Sequence, residues 1–180
     1  MSKVKKGIAV VAVFLVALVF LSFIGGGMTT LEHQITVKAP KEKVFETLAD
    51  LEQVQHYNPT VRSAKYITDK HRGEGAAREC DLGKDGTVRE RVIDYKEGQW
   101  IKMELYEHNW PIEKMEWTTR LQSVDEKTTH ISQTMTYQMK FGLLGGLLNK
   151  LVMKNKLDNT LTNVFESMKT YVEADASRTE

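Results

Sequence analysis

Hydrophobic and polar positions divide the chain into three regimes. In the first, Ile8 to Ile24 is apolar apart from Ser22, with Lys3, Lys5 and Lys6 before it and no charge until Glu32. A run of that length without a polar face predicts a transmembrane helix from Ile8 to Ile24, prolonged by Gly25–Gly27. The basic start suits an uncleaved signal-anchor: a single-pass membrane protein with a cytoplasmic N-terminus and its C-terminal domain on the extracytoplasmic side. The alternative is a signal peptide cut near Gly25–Gly27, which leaves a secreted or periplasmic protein.

The second regime alternates with the period of two that marks strands. Leu31–Lys38 is a strand stopped by Ala39-Pro40, with Pro40 at the first position of a helix whose stripe is Val44, Phe45 and Leu48. Asp50 caps a further helical turn that Asn58-Pro59 ends. Six strands then follow at close spacing, over 61–68, 76–82, 87–95, 99–107, 114–124 and 128–141. Turns at Gly73 and Gly75, Gly83–Gly86, Lys96–Gly98, Asn109–Pro111 and Asp125–Lys127 separate them. The third regime, Phe141–Glu173, has Leu144, Leu147, Leu148, Leu151, Leu157, Leu161, Val164, Phe165, Met168 and Val172 at three- and four-residue steps, so it predicts one long amphipathic helix. Gly145-Gly146 weakens its first turns by roughly 1 kcal/mol per glycine relative to alanine. The segment 142–151 is therefore expected to be a movable lip. The domains are 1–30 (anchor and Gly-rich tether), 31–174 (one folded domain) and 175–180 (disordered tail).

Composition removes several functions. The 25 Lys+Arg nearly balance the 24 Asp+Glu, so no basic excess announces a nucleic-acid partner. Cys80 is the only cysteine, which excludes an internal disulfide and a cysteine-based zinc cluster. His33, His56, His71, His108 and His130 are scattered, and no metal, cofactor, phosphate-loop or triad motif is present. Neither a metal nor a cofactor is expected.

The segment ITVKAPKEKVFETLADLEQVQHYNPTV, with Ala39-Pro40, Val44-Phe45, Asp50 and Tyr57-Asn58-Pro59, resembles the opening of the SRPBCC superfamily (START, Bet v 1-like, polyketide cyclase/dehydrase). The likeness extends from Leu31 to Ala174. It implies an α+β helix-grip fold: a seven-stranded antiparallel sheet wrapped around the long C-terminal helix, with a hydrophobic small molecule or lipid as partner in the space between. A strongly bent sheet cannot lie flush on a straight helix, so side chains or a ligand must fill the gap.

Strand alternation then selects the ligand-binding candidates Met103, Leu105, Met115, Trp117, Met135, Tyr137 and Met139, joined by Leu144 and Leu148 of the lip. Flexible thioethers suit a site that takes varied apolar shapes, although each such residue alone reads equally as core. Catalytic candidates are weak: Glu104, Tyr137 and His108 form the least implausible acid–base group, with His108 in a loop. Arg89, Glu90 and Arg91 read as solvated strand charges, and Lys150, Lys154 and Lys156 as the wet side of the helix. The expected function is a membrane-tethered binding protein for a hydrophobic ligand. Alternatives are a cyclase- or dehydratase-like enzyme using the same cavity and an interaction module whose cavity is filled.

Overall fold

The computed structural model describes residues 3–23 and 26–178. Helix α1 (Lys3–Phe23) precedes strand β1 (Met28–Val37), helix α2 (Lys41–Ala49), a 3-10 turn (Leu51–Gln53) and the short α3 (Val54–Tyr57). Strands β2 (Ser63–Tyr66), β3 (Ala77–Asp81), β4 (Thr87–Lys96), β5 (Trp100–Glu107), β6 (Ile112–Asp125) and β7 (Thr128–Met139) follow. The chain ends in α4 (Gly142–Leu148), a π-helical turn (Asn149–Met153) and α5 (Lys154–Ser177).

The strands form one seven-stranded sheet in the order β1-β7-β6-β5-β4-β3-β2, antiparallel throughout. β1 closes one edge by pairing with the last strand, Leu31 opposite Met135, so the segment carrying α2 and α3 must cross to the opposite edge before β2. That crossing brings both short helices against α5. The core lies between the sheet's inner face and these helices, with Val37, Val44, Phe45, Leu51, Ile112, Ile131 and Val172 almost wholly buried.

Local chemistry explains the boundaries. Pro40 sits one position earlier than expected, as the N-cap of α2 with ψ 143°, and not inside its first turn. Asp50 caps the 3-10 turn as expected, accepting from the Glu52 N–H at 3.2 Å and from the Gln53 side chain at 3.0 Å. Gly83 (φ +65°) and Gly86 (φ +88°) occupy left-handed positions in the β3–β4 turn, where a side chain would be strained.

The single C-terminal helix expected over Phe141–Glu173 is in fact interrupted. At Asn149 a buried amide accepts a hydrogen bond from the Tyr137 hydroxyl at 2.5 Å and donates to Thr29 Oγ1 at 2.7 Å, tying the π-turn to β7 and β1. A residue held into the sheet at this point is accommodated by one wider turn, a common reason for such irregularities. The two glycines also differ. A Cβ on Gly145 would stand 1.8 Å from the Lys140 carbonyl oxygen and 2.9 Å from Met139 Cβ, whereas one on Gly146 meets nothing within 4 Å. Gly145 therefore serves close approach of α4 to the end of β7, and helix weakening is its side effect.

Helix α1 is 21 residues long, but among the described residues no helix is long and apolar enough to cross a membrane. The expected span Ile8–Ile24 is thus not borne out. Ile24, the end of that expected span, lies outside the described residues.

Candidate ligand-binding cavity

Between the inner face of the sheet and α5 lies a cavity of about 160 Å³. β5, β6 and β7 supply one wall, including Met103, Leu105, Met115, Trp117, Thr119, Gln133 and Met135. α5 supplies the other with Leu157, Thr160, Leu161, Val164, Phe165 and Met168, while Val54 and Tyr57 of α3 and Trp110 of the β5–β6 loop close the ends. The period of two decides the first wall, since Ile101, Met103 and Leu105 are buried while Lys102 and Glu104 between them point away.

Five of the sequence-selected ligand residues line this space: Met103, Leu105, Met115, Trp117 and Met135. Tyr137, Met139, Leu144 and Leu148 do not. Tyr137 faces inward, but its hydroxyl is committed to Asn149 and its ring is wholly buried, beyond the end of the cavity. Burial holds its phenol above the usual tyrosine range against the opposing bonds to Thr29 and Asn149. Met139 is packed beneath Gly145, and Leu148 is 41% exposed on α4. The expected lip therefore does not border the cavity; the wall supplied by the C-terminal helix begins two turns later, at Leu157.

The weak catalytic group is not assembled. Glu104 lies on the outer face and pairs with Arg91, opposite to Tyr137, because alternate strand residues point to opposite faces. His108 accepts the Trp110 N–H at 3.2 Å, and burial together with nearby Lys140 depresses its pKa.

A different polar cluster faces the cavity. Arg78 of β3 is 5% exposed and donates from Nε to Glu90 Oε2 at 2.7 Å, from Nη2 to the same oxygen at 2.6 Å and from Nη1 to the Leu51 carbonyl at 2.8 Å. Burial acts most strongly against the charged guanidinium, but Glu90, Cys80 and Tyr57 together more than offset it, so Arg78 stays ionised. Tyr57 is buried beside Arg78, and that burial raises its pKa against the lowering effect of the guanidinium. Cys80, two residues along β3, is buried, and desolvation followed by Glu90 pushes its thiol up to about 12. Across the cavity Thr119 Oγ1 donates to Gln133 Oε1 at 3.0 Å.

Arg89 and Arg91 do stand on the outer face, bonded to Glu79, Glu107 and Glu104. Glu90 does not. Its parity with buried Val88 and Val92 turns it inward, a signal present in the sequence but masked by the run of three charges. Charge masks Arg78 in the same way, although Ala76 and Cys80 two residues away on either side mark an inward face. Among the described residues no group of three or more His, Cys, Asp or Glu side chains is placed to hold a metal ion.

The model of the family described as polyketide cyclase/dehydrase and lipid transport matches residues 28–173, nearly the whole of the folded region. The chain belongs to this family. No curated protein sequence matches it significantly. Three solved structures share its fold. Ara h 8.0201 superposes with a TM-score of 0.63 at 18% identity, over 82% of this chain and 99% of its own. An uncharacterised protein from Bacillus thuringiensis gives 0.63 at 12%, over 80% and 98%. The Zhui aromatase/cyclase from Streptomyces sp. R1128 gives 0.60 at 19%, over 78% and 94%. The helix-grip, Bet v 1-like architecture of the family is thus reproduced here, with α1 outside the matched region.

Proposed function

We propose that this chain binds a small, largely apolar molecule carrying one polar group, between the sheet and α5, and that α1 tethers the domain to a membrane. The cavity carries the reading: an apolar interior with one buried ion pair, Arg78–Glu90, set in its wall. A volume of about 160 Å³ is comparable to a cavity that admits a single aromatic ring. It falls short of the roughly 300–1,000 Å³ of drug-sized pockets. A longer ligand therefore has to displace wall side chains, and Met103, Met115, Met135 and Met168 are the side chains best able to yield. The free Glu90 Oε1 and the Gln133 amide supply an acceptor and donors for a polar group. Tethering is supported by the apolar sequence from Ile8 to Ile24, interrupted only by Ser22, and by the exposure of Ile8, Phe14 and Phe20 on α1. It would keep the domain beside a reservoir of apolar molecules.

Native mass spectrometry of the full chain purified from membranes tests the binding reading. A bound apolar molecule on the wild type that is absent from a Met135→Trp variant is the expected result. Equal adducts on both proteins, or none on either, would count against it. A second reading, cyclisation or dehydration of a polyketide-like ligand in the same cavity, draws support from the inward Glu90 and Tyr57 and from the fold shared with the Streptomyces aromatase/cyclase. Turnover abolished by Glu90→Gln, with ligand binding retained, would select it.

A further inference from the structure

The distribution of exposed apolar side chains is uneven. Among the described residues, every exposed large hydrophobic except Val124 lies on α1, at Met28 or between positions 141 and 152. In the last stretch Phe141, Leu143, Leu147, Leu148, Leu151 and Val152 are 41–66% exposed. A folded domain rarely leaves so many neighbouring apolar side chains uncovered without a partner.

Three observations identify that partner as lipid. First, α4 touches α1, itself exposed and apolar, and a Cβ on Gly26 would lie 2.8 Å from the Gly142 carbonyl oxygen. The two apolar surfaces are therefore continuous. Second, the segment from Lys140 to Lys156 contains no acidic residue but holds Lys140, Lys150, Lys154 and Lys156, none in an ion pair with a described residue. Third, Phe141 adopts a left-handed backbone (φ 68°) with its ring 60% exposed. A non-glycine residue is held in that conformation against steric strain, and most of its surface stays uncovered in return.

We propose that α4 and the π-turn bed their apolar face into the surface of an anionic bilayer beside α1, with the lysines at headgroup level. The Lys140 N–H donates to the Pro111 carbonyl at 3.0 Å, which places this face next to the loop of the cavity-lining Trp110. Docking thus sets one end of the cavity at the membrane. The inference rests on the reading of α1 as a tether, and the test separates the two.

Full-length protein is reconstituted in vesicles of phosphatidylcholine and phosphatidylglycerol with acyl chains brominated. Quenching in excess of wild type is read for Phe14→Trp on α1, Leu147→Trp on α4 and Val124→Trp, about 40 Å away along β7. Excess quenching of the first two and not the third is expected. Quenching of Phe14→Trp with Leu147→Trp as unquenched as Val124→Trp overturns the docking and leaves the tether. Failure of both overturns both. A blue-shifted, concentration-dependent Leu147→Trp emission without vesicles points to a second copy and also overturns the docking. Lys150→Gln and Lys154→Gln should each weaken the Leu147→Trp signal's lipid dependence about fivefold, the worth of one basic residue near an anionic surface. Phe141→Gly relieves the left-handed strain, so it should reduce the Leu147→Trp quenching without lowering the melting temperature. A fall in both would mean that Phe141 serves the fold, which contradicts its part in docking.

Discussion

Replacing Glu90 by glutamine isolates the energetics of the cavity's polar wall. Arg78 is 5% exposed, and two of its three hydrogen bonds end on Glu90 Oε2, the third on the Leu51 carbonyl. Glutamine keeps an acceptor oxygen but removes the compensating charge. Breaking a buried pair costs about 3–5 kcal/mol because one ion is left alone. With Leu51 and Tyr57 still in place the expected loss is at the low end, about 3 kcal/mol. For a chain of this size that is a fall in melting temperature of about 6–12 °C. Removing both charges, in Arg78→Met with Glu90→Leu, discards the desolvation burden as well and should cost only about 1 kcal/mol. Urea unfolding of the full chain in mild detergent, followed by the fluorescence of Trp110 and Trp117, measures each variant. A double variant as unstable as the sum of Arg78→Met alone and Glu90→Leu alone would show that the two residues act independently, and would refute the ion-pair account.

Gly145→Ala should destabilise by about 1–3 kcal/mol through overpacking against Lys140 and Met139, while Gly146→Ala should gain up to about 1 kcal/mol of helix propensity, both read by denaturant midpoints. Tyr137→Phe leaves the buried Asn149 oxygen without its donor at a cost of about 1–3 kcal/mol, and faster hydrogen exchange in α4 and the π-turn should accompany it. The thiol of Cys80 titrates near 9 when unfolded but is pushed up to about 12 in the fold. The unfolded chain therefore loses this proton first as pH rises. Stability should fall across that window by up to about 1.4 kcal/mol per pH unit, and Cys80→Ala should flatten the slope in urea titrations at pH 8 to 11.

The sheet was legible because its signals are local and repeated. Alternation from Ile101 to Leu105 and from Ile131 to Met139, with glycines at the turns, sets both the strands and the face that each residue shows. Five cavity-lining residues could be read from that alone. Residues whose role depends on where the cavity stops could not: Tyr137 and Met139 share the inward face with Met135 yet lie past its end. The inward pair Arg78–Glu90 was hidden because charge is ordinarily a sign of solvent, and only pairing across β3 and β4 neutralises it. The break at Asn149 was invisible for a different reason. Its helical spacing is good on both sides, and of its partners Thr29 stands 120 residues away, while Tyr137 lies on the preceding strand and reads as ordinary core.

The binding claim is tested most directly by nuclear magnetic resonance of the full chain labelled at its methionine methyl groups and titrated with p-cresol, a single ring with one hydroxyl. Met103, Met115, Met135 and Met168 line the cavity, while Met28 is exposed on β1 and Met139 is packed under α4. Saturable shifts at the first four methyls, with Met28 and Met139 unmoved, are expected. Shifts confined to Met28 or Met139, or no saturable shift at any methionine, would contradict a ligand site between the sheet and α5.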